Sequence, residues 1–310
     1  MSSPPNAMNS SSKKRRIREN MVSGTETGYT ERNRHGTGSL FDMIVFPLGI
    51  VVVSGSEVAL FNDNNDSKWI SLPSYAYDER DEAYFVHAAF AEDGKTRRVW
   101  VMWQAGAAIL DVGDTEWTYI DTPTRILRKD AAAALLDEDN ILICGGEMQQ
   151  HVVKGCLLFN MKSRTWSDDF PDMQDYRAKH ACVHYKGDVV VIGSLGKNSF
   201  KCERFDTATG TWGPFPSIGL PPAGNIAAVI GDHIYVMAFC SFQIYDGTAW
   251  CTSSYNTNVA GPLVLTIPLS GTLICFSHLS KHAWRCDTNT NELSVFTRMP
   301  FFALDCVSSF

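Results

Sequence analysis

One phrase recurs along this chain: an apolar or aromatic residue, then Asp or Asn, then about six residues later a Trp. It reads Phe61-Asn62 with Trp69, Leu110-Asp111 with Trp117, Phe159-Asn160 with Trp166, Phe205-Asp206 with Trp212, and Tyr245-Asp246 with Trp250. A sixth copy, Cys286-Asp287, has Leu293 where the Trp is expected. Successive Trp positions lie 48, 49, 46, 38 and 43 residues apart. A fixed period in this range marks an array of one supersecondary unit.

The unit reads as β. From Leu40 onward, short apolar runs rich in Val, Ile and aromatics alternate with Gly, Asp, Asn and Pro, the pattern of strands and turns. Repeat three shows four strands: 131–136, 141–144, 156–160 and one opening at Thr165-Trp166. Four antiparallel strands at this period build a β-propeller blade. The expectation is an all-β propeller of six four-stranded blades, with seven blades, one incomplete, as the alternative. Residues 304–308 look like an extra inner strand that closes the ring on blade one, but 41–46 read equally well as that strand.

Residues 1–38 carry seven Lys/Arg against three Glu and few large apolar side chains. Such a segment buries too little surface to offset its ordering entropy, so the expected organisation is a disordered basic tail (1–38) before the propeller (39–310). The run Lys13-Lys14-Arg15-Arg16-Ile17-Arg18 has the composition of a nuclear-import signal or of a solvated tail. The chain's net charge of −7 leaves the body acidic, which argues against nucleic acid as a partner. No apolar run is long enough to span a bilayer, so no membrane is expected. Nine Cys stand singly, without a CxxC pair. They read as reduced, mostly buried thiols of a cytoplasmic protein, with a nuclear address through Lys13–Arg18 as the variant.

Each recurring residue has a structural reason. Glycines Gly145 and Gly146 let the chain leave the second strand with a backbone that a Cβ disfavours. Asp111, Asp206 and Asp246 can bond their own backbone and set the hairpin. Trp69, Trp117, Trp166, Trp212 and Trp250 offer apolar plates to a neighbouring blade. In this pattern the chain resembles the kelch-repeat family, of the galactose-oxidase-central-domain-like superfamily. The double glycine, the Tyr-Asp-type pair and the Trp are that family's marks, here in degenerate form: only repeat three keeps both glycines.

Chemistry is harder to find. His180, Cys182 and His184 alternate and could share one strand face. They would spread over about 13 Å, too far for one ion without bending the chain, so they read as inner-strand residues. No nucleophile elbow or phosphate loop is present, and the acidic run 78–82 reads as a solvated loop. The resemblance raises a galactose-oxidase-like or other metal or small-molecule enzyme, with its site at the propeller axis, as the alternative. No catalytic residue, metal, cofactor or small-molecule substrate is assigned.

Alternating strand direction places the loops after the second and fourth strands of every blade on one face of the disc. Variable loops on a rigid scaffold are where binding concentrates. On that face fall Tyr75, Tyr77, Arg80, Arg125, Gln149, His151, Tyr176, Arg177, Lys197 and Phe200, and Tyr and Arg are enriched in interface hot spots. The expected function is a non-catalytic protein–protein interaction module. By resemblance it would be a kelch-type scaffold or substrate-recognition adaptor, joined in trans to a ubiquitin ligase.

Overall fold

The computed structural model describes residues 49–310, apart from 55, 63–67, 76–82, 91–96, 104–105, 123–127, 196–197, 221–226, 239–240, 256–264, 270, 277–280, 291, 301–305 and 310. The expected tail 1–38, its basic run and the strand 41–46 lie outside these residues. Every regular element among the described residues is a strand. Blade one contains β1 (Gly49–Ser54), β2 (Glu57–Asn62) and β3 (Lys68–Leu72). Blade two is β4 (Ala83–Phe90), β5 (Arg97–Trp103), β6 (Gly106–Asp111) and β7 (Thr118–Ile120). Blade three has β8 (Ala132–Leu135) and β9 (Asn140–Cys144), then an inserted hairpin of β10 (Glu147–Met148) and β11 (His151–Val152), then β12 (Cys156–Asn160) and β13 (Thr165–Ser167). Blade four is β14 (Ala181–Tyr185), β15 (Asp188–Ile192), β16 (Cys202–Asp206) and β17 (Thr211–Phe215). Blade five is β18 (Ala227–Ile230), β19 (His233–Ala238), β20 (Ser241–Tyr245) and β21 (Trp250–Ser254). Blade six is β22 (Leu265–Leu269), β23 (Thr272–Phe276), β24 (His282–Cys286) and β25 (Leu293–Arg298), followed by β26 (Cys306–Ser309).

Six four-stranded antiparallel sheets result, one per repeat. The last strand decides the closure: β26 pairs antiparallel with β1, Val52 opposite Val307 and Val51 opposite Ser308. Blade one is therefore ordered β26-β1-β2-β3, with the C-terminal strand innermost. There are six blades, and the ring closes by sharing blade one between the two ends of the chain. Most expected strands fall where the repeat places them. The inner strand of repeat four, expected from Arg177 to His184, is the exception, because β14 begins only at Ala181 and Arg177 to His180, including the expected inner-strand residue His180, belong to the preceding loop.

Alternate residues of one strand serve opposite seams. Ile141 and Ile143 of β9 join the cluster between blades two and three. Leu142 and Cys144 join the cluster between blades three and four. This is why the second strands read as unbroken apolar runs such as Val51-Val52-Val53: both faces of each blade are covered. Burying an aliphatic side chain contributes about 1.5–3 kcal/mol, and six such seams hold the ring. Blade six lacks the fourth-strand Trp, and at its seam with blade five Trp284 of the third strand is buried instead, with Leu293 packed beside it.

Candidate protein-interaction face

The hairpin residues behave as their chemistry dictates. The Asp206 carboxylate accepts from the Thr209 amide at 2.9 Å, and Asp246 accepts from the Thr248 and Ala249 amides at 2.8 and 2.9 Å. Bonds from the Thr248 hydroxyl and these amides hold the Asp246 carboxyl at a pKa of about 2. Asp111 departs from the pattern: it receives a two-pronged bond from Arg98 at 2.6 and 2.9 Å, across the β5–β6 ladder.

The double glycine has a tertiary reason. Gly145 and Gly146 take φ of 59° and 94°. A Cβ on Gly146 would stand 2.7 Å from the Lys129 carbonyl oxygen, and one on Gly145 would strike the Arg177 carbonyl oxygen and lie 3.0 Å from His180. The backbones of the loops that enter and leave blade three, at Lys129 and Arg177, lie against this pair, so a side chain has no room.

Arg177 is held beneath the face and not on it. Its side chain is fully buried. Its Nη1 donates to the carbonyls of Gly193 and Lys201, both at 2.7 Å, joining the two ends of the β15–β16 loop. Its Nε and Nη2 donate to Glu203 Oε1 at 3.0 and 2.7 Å. The other Glu203 oxygen accepts from the Gln174 amide at 2.6 Å. Arg128 repeats the device one blade earlier, donating to the carbonyls of Gly145 and Gly155 at the two ends of the β9–β12 connection. Both arginines stand four residues before an inner strand that opens with Ala, a phase that aligning the repeats would have exposed. Gln243 of blade five occupies the place of Glu203 and accepts from the Leu220 amide at 3.2 Å.

These bonds knit separate loops into one surface. Arg177 N donates to Val153 O at 3.2 Å, Leu195 N to Ala178 O at 2.8 Å, and Ile218 N to Phe200 O at 2.9 Å. The Asn198 side chain donates to Tyr176 O at 3.3 Å. Above the bonds, Val152, Tyr176, Leu195, Phe200 and Leu220 are exposed, Tyr176 and Leu195 by 59% and 62%. All five belong to loops that follow second or fourth strands of blades three and four, so they emerge on the same face. Most of the exposed large hydrophobics among the described residues are these five.

The sequence-expected contacts divide accordingly. Tyr176, Phe200, Gln149 and His151 are exposed on this face. Gln149 and Gln150 form the hairpin tip, both with positive φ (51° and 66°). Tyr75 and Arg177 are corrected. Tyr75 is 3% exposed and packs between Trp103 and Trp117, with ring centroids 5.1 and 5.8 Å away, in the seam of blades one and two. Tyr77, Arg80, Arg125, Lys197 and the acidic run 78–82 lie outside the described residues. Val152, Leu195 and Leu220 were missed, because lone aliphatic residues in loops carry no sequence signal of exposure.

His180, Cys182 and His184 do not act together. His180 is fully buried against Gly145, where burial pulls its pKa down to about 3. Cys182 enters the seam of blades three and four, and His184 is half-buried. Among the described residues, no group of three or more His, Cys, Asp or Glu side chains is placed to hold a metal. Burial also pushes the Cys144 thiol well up, which keeps it from acting as a nucleophile.

No family model matches the chain, and no curated protein does. Solved structures do match. The structure of YjhT is similar with a TM-score of 0.57 at 13% identity, over 74% of this chain and 86% of that one. A chain of a nidogen/laminin complex is similar with a TM-score of 0.60 at 9% identity, over 84% of this chain and 98% of that one. The likeness is one of fold. It agrees with the closed six-bladed ring, and at these identities the chemistry of a site does not transfer.

Proposed function

We propose that the chain is a non-catalytic protein-interaction module of kelch type, working through the loop face of blades three and four. The observation that carries this reading is the exposed row Val152, Tyr176, Leu195, Phe200 and Leu220 on loops cross-bonded to one another. Contiguous exposed apolar side chains on a soluble scaffold mark contact surfaces, and pre-ordered loops reduce the entropy lost on docking. Aromatic anchors such as Tyr176 and Phe200 are the residue types that carry interface energy. The partner in this reading is a protein, since an acidic body disfavours nucleic acid. A ligase-adaptor role would follow if that partner were degraded when bound.

The test compares the tagged full chain with a Tyr176→Ser/Leu195→Ser/Phe200→Ser variant by capture from native lysate and quantitative mass spectrometry. Proteins enriched by the wild type and lost from an equally stable variant support the reading. Identical partner sets from the two would overturn it.

A further inference from the structure

A second surface lies on blade six, away from the loop row. β25 (Leu293–Arg298) is the outermost strand of its sheet and pairs with β24 alone. Outer edges are ordinarily blunted by charge or proline. Blade four carries Pro214 within β17, and Asp168-Asp169 follow β13 at once. β25 runs Leu293-Ser294-Val295-Phe296-Thr297 without charge or proline and carries its one charge at its last residue, Arg298. Val295 is 63% exposed, more than any other exposed large hydrophobic among the described residues.

The ladder beneath this edge is interrupted. Ala283 stands opposite Thr297 and Trp284 opposite Val295, which leaves Phe296 without a facing residue. Such a bulge bends the strand and re-aims its side chains. Phe296 turns toward blade one, its ring centroid 5.3 Å from that of Phe61. Beside it is a hollow of about 260 Å³ lined by Arg285, Ser294, Val295 and Phe296. The Arg285 guanidinium lies 4.9 Å from the Phe296 ring centroid. Its Nε is buried and has no hydrogen-bond partner among the described residues. A guanidinium held by an aromatic ring with a buried donor unpaired is matched by a carboxylate, which accepts parallel N–H bonds.

We propose that the outer edge of β25 takes an extended segment of a partner protein in which an acidic residue adjoins an apolar one. The added strand would lie about 4.8 Å beyond β25 and about 10 Å from β24. Arg285 and Ser294 are paired across the ladder, so the incoming residue opposite Ser294 falls on the same face as Arg285. An Arg and a Glu side chain together span that distance, and the carboxylate enters the hollow. The next residue of the segment turns to the other face and covers Val295. Main-chain bonds to the edge supply affinity, and the hollow supplies selection, as in other strand-addition sites.

The probe is a fluorescein-labelled peptide, Thr-Val-Thr-Val-Glu-Val-Thr-Val, titrated against the full chain by anisotropy beside its Gln analogue. The Glu peptide should saturate below about 1 mM and bind on the order of 10-fold more tightly than the analogue. Arg285→Gln should bring the two peptides level. Val295→Lys, at an exposed position outside the core, should abolish both and keeps the test valid if Arg285→Gln unfolds. Tyr176→Ser should leave the titration unchanged. No saturation, equal affinity for the two peptides, or Glu-peptide binding unaffected by Val295→Lys would each overturn the proposal.

Discussion

Trp212, in the fourth strand of blade four, donates its indole N–H to the carbonyl oxygen of Pro171 in the chain leaving blade three, 2.8 Å away. The same latch joins Trp117 to Pro73 and Trp250 to Pro216, each at 2.7 Å. At these three positions the Trp does two jobs, filling a seam and tying down the exit of the preceding blade, whereas the indole N–H groups of Trp69 and Trp166 are buried without such a partner among the described residues. Trp212→Phe keeps an aromatic ring near Phe205 but strands the Pro171 carbonyl, at a cost of about 1–2 kcal/mol. Trp212→Ala also opens a cavity and should cost about 3–5 kcal/mol. Urea unfolding of the two variants separates the latch from the packing.

The glycine pair makes a sharper comparison. Gly146 and Gly187 have similar positive φ, 94° and 87°, but only at Gly146 would a Cβ meet backbone. Gly187→Ala should cost only the left-handed penalty of about 1–2 kcal/mol, and Gly146→Ala clearly more. Equal losses in thermal unfolding would mean that the close approach of the Lys129 backbone is not what requires glycine.

Arg177→Met leaves the Glu203 carboxylate buried without its guanidinium, which should destabilise by about 3–5 kcal/mol. Adding Glu203→Gln should restore part of that loss, because a neutral amide needs no counter-charge. A double variant no more stable than Arg177→Met would show that the arginine acts through the Gly193 and Lys201 carbonyls instead.

His180 sets a pH dependence. Its folded pKa of about 3 lies below the unfolded value of about 6.5. The unfolded chain therefore binds the extra proton between these values, and stability falls as pH falls below about 6.5. Between pH 7 and 5 this side chain alone should account for about 2 kcal/mol. His87, held at about 4 by burial, adds in the same direction. Urea titrations of the wild type and His180→Gln at both pH values test it; an undiminished pH slope in the variant would exclude His180 as a source.

Removing residues 306–310 deletes β26 and leaves β1 as an open edge. The truncated chain should unfold at lower temperature and self-associate in size-exclusion chromatography, since an unpaired inner edge of Ile and Val templates further pairing. A monomer with unchanged melting would contradict closure by this strand.

Much of the fold was legible because its determinants are local and repeated. The Asp206 and Asp246 hairpins and the second-strand apolar runs follow from turn chemistry and strand propensity within a few residues. Less of the candidate face could be read. Tyr75 and Arg177 have interface-prone chemistry but are buried, because their surroundings come from distant residues: Trp103 and Trp117 for one, Gly193 and Glu203 for the other. Leu195 and Leu220 resemble core residues in the sequence but are exposed, because nothing among the described residues packs over them.

The sequence by itself determined the all-β repeat, most of the strands within it and the Trp that marks five of the seams, since a period and a turn signal survive without knowledge of neighbours; the choice between six and seven blades waited on β26 pairing with β1. Only the tertiary structure decided which end of the chain closes the ring, why glycine is required at 146, and which loop side chains face solvent. Those outcomes depend on contacts between residues far apart in the chain, where burial and hydrogen-bond pairing, rather than local preference, set the free energy.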